Sequence, residues 1–263
     1  MSDLPESSAA KPASQKVTLS ADAALDKLIH NPDPQILIAV AADARLTEDL
    51  ALALLERRDL PPQALEQVMR NSAVAKLRKV RLAVITHPHT PRHVSVPNIR
   101  HLYIFELMQI ALMPALAADL KRAAEEALLS RLATISSGER FTLAKRASGR
   151  VAAALLLDKE ERILQAALLN PQMTEMWIVK ALRAGTGTEL LAPAVCKHAK
   201  WVHRLEIKAA LLGNRHTPFA CVVQIASELP VRILRDILRS VQLAPQVKKY
   251  VQGMAEQRNR KDW

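Results

Sequence analysis

Proline limits this chain more than any other residue. Inside a helix it removes a hydrogen bond and clashes with the preceding turn, whereas at the first helical position its missing N–H has no partner to lose. The chain holds 15 prolines, and most stand where a helix can begin. Asp33-Pro34, Thr90-Pro91 and Thr217-Pro218 each join a capping residue to a proline. Pro61-Pro62, Ala192-Pro193, Leu229-Pro230 and Ala244-Pro245 mark further starts with poorer caps. Thr47-Glu48-Asp49, Thr174-Glu175 and Thr188-Glu189 pair a cap with acid in the first turn, where it complements the helix dipole. Ser136 and Glu139 have the spacing of a capping box.

Between these marks the apolar residues keep helical spacing. Ile104, Leu107, Met108 and Ala111 fall at i, i+3, i+4, i+7, and so do Leu234, Ile237, Leu238 and Val241. Leu77, Val80, Val84 and Leu205, Ala209, Leu212 form shorter stripes of the same kind. Composition agrees: 49% of the 263 residues are hydrophobic, yet only 8 are aromatic and 6 are glycine. A sandwich or barrel needs more aromatic and β-branched residues and more turn glycines. No Val/Ile-rich run leads through a glycine turn into a helix, as a parallel α/β sheet requires. The expected fold is all-α, with many short helices stacked as hairpins.

A turn motif recurs. An apolar helix end runs into His87-Pro88-His89-Thr90-Pro91, into Asn170-Pro171-Gln172-Met173-Thr174 and into Asn214-Arg215-His216-Thr217-Pro218, with a shortened version at Asn31-Pro32-Asp33-Pro34. The opening residues lie 56, 83 and 44 positions apart, and two-helix repeats have periods near 40. The His-Pro-His-Thr-Pro turn preceded by Val80-Arg81-Leu82-Ala83-Val84 resembles the Asn-Pro-x-Thr-Pro turn of the leucine-rich repeat variant family, an all-helical relative of HEAT repeats. The block Ser137 to Asp158 running on to Asn170-Pro171 resembles bacterial proteins of unknown function with HEAT-like repeats. The resemblance spans residues 21–250. It implies an α-solenoid of degenerate HEAT-like hairpins and hands over no catalytic residue. Pro97 departs from the pattern by breaking, after about two turns, the helix that follows Pro91.

The expected organisation is a disordered leader over residues 1–20, one α-solenoid domain over 21–253 and a basic polar tail over 254–263. The first 20 residues lack the apolar core of a signal peptide. Leu107 to Ala118, interrupted by Gln109 and Pro114, is too short to span a membrane. Cys196 and Cys221 form no C-x-x-C and read as separate packed thiols. These features point to a cytoplasmic protein.

The net charge of +11 is uneven. Residues 1–70 hold 7 Lys/Arg against 11 Asp/Glu, so the remainder holds 30 against 15. Between Glu66 and Glu106 there is no acid, only Arg70, Lys76, Arg78, Lys79, Arg81, Arg92 and Arg100 with His87, His89, His93 and His101. Near the C-terminus Arg232, Arg235 and Arg239 form an i, i+3, i+7 ridge, followed by Lys248 and Lys249. These cations are the candidate contacts for an anionic partner; the plainer reading is a solvated face that keeps the protein soluble. Trp201, beside Lys200 and His203-Arg204, is the candidate stacking residue, with core packing as the plainer reading. His87, His89 and His93 lie within seven residues, but prolines interrupt them and no acid or cysteine joins them, so no metal site is expected. Gly185-Thr186-Gly187 lacks the preceding strand of a nucleotide cradle and reads as a turn. No Walker loop, G-x-S-x-G or H-E-x-x-H occurs, and no cofactor is expected. The expected function is a non-enzymatic scaffold for a protein partner with an acidic surface. Nucleic-acid binding through the same cations is the alternative, and a HEAT-like DNA-repair glycosylase a third reading.

Overall fold

The computed structural model describes residues 25–261, with side chains through 259; the leader expected over residues 1–20 lies outside that range. Among the described residues the chain forms seventeen α-helices, one 3-10 turn and no strand. It divides into two compact units, the chain passing from one to the other between Asn98 and Ile99.

The first unit holds α1 (Leu25–Ile29), α2 (Pro34–Ala42), α3 (Glu48–Leu55), α4 (Pro62–Arg70), α5 (Arg78–Thr86) and most of α6 (Arg92–Ile99). Pro34 and Pro62 open their helices, and Asp33 accepts from the Gln35 amide at 2.9 Å. α2 packs on α4 and α3 on α5, burying Leu37, Leu54, Leu65, Val80 and Val84 in one core. α6 ends two residues after Pro97, close to the break expected of it.

The second unit runs through α7 (Ile104–Leu112), α8 (Ala118–Arg131), α9 (Ser137–Arg146), α10 (Gly149–Ala154), the 3-10 turn Leu155–Leu157 and α11 (Glu161–Leu168). It continues with α12 (Glu175–Arg183), α13 (Leu191–Lys197), α14 (Leu205–Gly213), α15 (Phe219–Glu228), α16 (Val231–Ser240) and α17 (Pro245–Lys261). α9 packs on α11, α10 on α12, α12 on α14 and α15 on α17, so several helices meet the one two places later, while α7 packs on α8 and α16 on α17 as adjacent pairs. The chain is thus helical and repeat-like. Residues 254–261, expected as a tail, form the last turns of α17.

The recurrent turn has a physical reason. The last carbonyls of a helix have no partner within it and need donors when buried. Asn71, at the end of α4, donates from Nδ2 to the carbonyls of Ala41 (3.0 Å) and Asp43 (2.8 Å) at the end of α2, while its Oδ1 accepts from the Ala73 amide. Asn170 does the same after α11: Nδ2 donates to Ala144 (2.9 Å) and Ala147 (3.0 Å) at the end of α9, and Oδ1 accepts from Gln172. Asn214 repeats it on Leu182 (2.7 Å), with Oδ1 accepting from His216. His87 substitutes for asparagine. Its Nε2 lies 2.8 Å from the Arg57 carbonyl and its Nδ1 accepts from the His89 amide, which assigns the ring proton to Nε2. Arg57, Arg131, Arg258 and the Trp201 indole N–H reach back to carbonyls in the same way.

These reaches span 23 to 33 residues, shorter than the period near 40 expected from the turns. Helices of 8 to 10 residues with brief turns fill a two-helix unit in about that length, and the turn intervals of 56 and 83 are near two and three such units.

Four expected caps act differently. The Thr90 and Thr217 hydroxyls donate backwards to the carbonyls of Val84 and Leu211, closing the helix before the turn. Thr174 makes no side-chain cap bond, and the buried Thr188 hydroxyl accepts from Asn214 Nδ2 at 3.1 Å. Ser136 and Glu139 do form the reciprocal box.

α14 and α15 are tied by an ion pair. Lys208, only 9% exposed, places Nζ 2.6 Å from Glu228 Oε2, and Gln224 donates to the other carboxylate oxygen. The lysine's hydrogen bond, then that of Gln224, holds the Glu228 carboxyl below its usual range. A lowered carboxyl stabilises the fold above its unfolded-state value and stops doing so as pH falls through its folded-state value. The urea midpoint should therefore drop on acidification through the carboxylate range. Glu228→Gln should cost roughly 1 kcal/mol or less at pH 7, since the pair is partly solvated, and should shrink the acid-induced drop. An unchanged pH profile in that variant would remove Glu228 from the account. The rest of the drop belongs to Asp43, Asp59, Glu139 and Glu160, held down chiefly by hydrogen bonds from Arg45, Arg57, Ser136 and Ser137 respectively.

Candidate functional site

The candidate cations fall into the two units. In the first, Lys76 is exposed in the turn before α5 rather than on a continuous helix from Asn71, because Asn71 ends α4 and α5 starts only at Arg78. Arg78 and Lys79 occupy the first turn of α5, exposed, with no acid there. Cations at a helix N-terminus oppose the dipole and cost a few tenths of a kcal/mol. Arg81 is half-buried and donates to the Ala75 carbonyl at 3.1 Å, so it is a turn brace. Arg92 is exposed as the first residue of α6.

In the second unit Arg100 is exposed, and its carbonyl accepts from Arg131. Arg232, Arg235 and Arg239 are all exposed on α16, whose opposite side buries Leu234 and Ile237. Lys248 and Lys249 are exposed on α17, which packs against α16. These five cations therefore belong to one helical hairpin, and none pairs with a carboxylate among the described residues. Residues 231–261 carry 8 Lys/Arg against 2 Asp/Glu.

Trp201 is core. It is 3% exposed, donates from Nε1 to the Leu168 carbonyl at 3.0 Å and has Lys200 Nζ 4.1 Å from its ring centroid. No face is left for a nucleic-acid base. The histidines are committed singly: His87 and His89 to backbone carbonyls, His93 to Glu66 at 3.2 Å.

The expectation of separate packed thiols is overturned. Cys196 on α13 and Cys221 on α15 form a disulfide, their Cα atoms 6.2 Å apart, within the span a bridge requires. The spacing of 25 residues is close to one packing unit, which brings the two positions into register across α14. The argument for a reducing compartment loses its premise with the free thiols. No helix among the described residues is long and apolar enough to cross a membrane.

Concavities stand out at three places among the described residues of the second unit. One of about 490 Å³ is bounded by the C-terminal ends of α12 and α14 and by Val241 and Gln242. Gly185, at φ +76°, and Gly187, at +70°, make the turn beside it. Helix C-termini present carbonyls and negative dipole ends, and Arg215 already donates to the Gly185 carbonyl at 3.3 Å, so this arginine serves the protein's own backbone. A second, of about 680 Å³, runs along α12 past Met176, Val179 and Lys180, with Glu175 and Glu206 on its rim. The third, of about 550 Å³, lies between the start of α15 and α17 and is lined by Phe219, Lys249, Tyr250, Gly253 and Met254. Sequence reasoning passed over it. The available signal was Tyr250 and Met254 at i, i+4 beside a mid-helix glycine. Comparison of the chain with family models, curated proteins and solved structures finds no match.

Proposed function

We propose that this protein is a non-enzymatic scaffold, an α-solenoid of short HEAT-like helical hairpins, that docks a protein partner with an acidic surface on the α16–α17 hairpin. The observation that carries the reading is the set of five exposed, unpaired cations on two packed helices. Leaving them unneutralised raises self-repulsion with no return inside the fold, whereas an acidic partner converts the same field into attraction and faster encounter. Packing of α9 on α11, α10 on α12 and α12 on α14 supports the solenoid arrangement.

Phosphates would meet the same cations, so nucleic acid is the competing reading; Lys76, Arg78 and Lys79 in the acid-free stretch favour it. Burial of Trp201 removes the aromatic that single-strand or base-excision chemistry would use. Binding of a glutamate-rich peptide and of a short DNA duplex, each followed against salt, separates the two. The peptide should bind, and Arg232→Glu with Arg235→Glu and Arg239→Glu should weaken it by about tenfold or more. A duplex bound more tightly than the peptide at physiological salt, with a steep salt slope, would transfer the site to nucleic acid.

A further inference from the structure

α17 has two apolar lines. Val247, Val251 and Ala255 face inward and are buried. Tyr250, Gly253 and Met254 form a second line that is only half covered, and Phe219 at the start of α15 completes a groove with them. The Phe219 and Tyr250 rings meet edge to face at 5.4 Å, yet Phe219 remains 52% exposed. Gly253 lies in the middle of the helix, where glycine is weaker than alanine. Among the described residues no atom beyond its own helix backbone and chain neighbours lies within 4 Å of where a Cβ would stand.

We propose that this groove receives an amphipathic helix of a partner protein, its apolar face crossing α17 over Gly253 and its flanks acidic. The inference rests on the scaffold reading and names the partner's class. A missing Cβ lets a second helix approach the α17 backbone closely, while Phe219, Tyr250 and Met254 supply the apolar floor such a helix seeks. Lys249 lines the groove together with Gln246 and Gln257; Glu256 is the only acid on α17 among the described residues, Arg258 is committed to the carbonyls at the end of α15, and residues 231–261 carry 8 Lys/Arg against 2 Asp/Glu. Acidic flanks fit that rim. A second copy of this chain would set one strongly basic hairpin against another, and a nucleic-acid backbone has no use for the apolar floor.

The test uses the full chain and two synthetic helices of about five turns, each with a Leu/Ala face, one flanked by Glu and one by Lys, followed by fluorescence anisotropy. The Glu-flanked helix should bind and the Lys-flanked one should not. Gly253→Leu, which fills open space, should leave the thermal midpoint unchanged or raised while weakening binding by about tenfold or more. Gly253→Ala, adding one methyl group and favouring the helix, should give a smaller loss and covers the case in which leucine disturbs folding. Binding that ignores both variants, equal binding of the Lys-flanked helix, or a dimer of this chain abolished by Gly253→Leu would each overturn the proposal. Should the glutamate-rich peptide depend on Arg232, Arg235 and Arg239 while no helix uses the groove, this inference falls and the scaffold reading stands. A Glu-flanked helix that depends on Gly253 but not on the α16 arginines retains the groove and moves the docking surface to α17.

Discussion

Asn170→Ala should be among the most destabilising single substitutions in the second unit, lowering unfolding free energy by about 3 kcal/mol. The side chain is 1% exposed and serves three backbone groups at once, the carbonyls of Ala144 and Ala147 and the amide of Gln172. Each buried group left without a partner costs roughly 1–3 kcal/mol, though the losses are not additive. Nearby packing leaves little room to adapt, since a Cβ on Gly149 would stand 2.5 Å from the Gln172 carbonyl. Asn170→Asp tests the hydrogen-bond account against simple loss of volume. It has the same shape and can still accept from Gln172, but points a carboxylate at two carbonyl oxygens, so it should destabilise at least as much as alanine at neutral pH. Urea unfolding of the three proteins decides it. An aspartate variant as stable as the parent would mean the turn is held by shape, not by donors.

The Cys196–Cys221 bridge should be worth about 3 kcal/mol, the order expected for closing a loop of 25 residues. Its loss should be seen as a lower thermal midpoint in reductant and in Cys196→Ser, with the two treatments no longer additive when combined. Thiol titration of the denatured, unreduced protein should find no free cysteine. Two titratable thiols, with a melting curve indifferent to reductant, would return both residues to the role of packed hydrophobes.

The elements were legible because their signals are local. Pro34, Pro62 and Pro245 open helices in the structure as they do in the sequence, and the Ser136–Glu139 box forms as spaced. Pro193 falls in the first turn of α13 rather than at its start. Thr90 and Thr217 were misread for a specific reason: a threonine before proline can cap forwards or donate backwards, and the choice depends on whether the preceding helix leaves a carbonyl within reach. The basic ridge of α16 was legible from its i, i+3, i+7 spacing, since the residues between it, Leu234 and Ile237, plainly face a core. Trp201 was not, because an aromatic beside Lys200 and Arg204 reads alike whether its ring packs inward or outward.

By itself the sequence determined that the chain is helical, where most of its helices begin and that its later part is strongly basic, since caps, propensity and charge act over a few residues. Only the tertiary structure decided what each turn residue bonds to, that Cys196 meets Cys221, and that Phe219 shares a groove with Tyr250 and Gly253. Those pairings join groups 23 to 34 positions apart, and nothing local to either partner specifies the other until the helices stack and bring their ends into register.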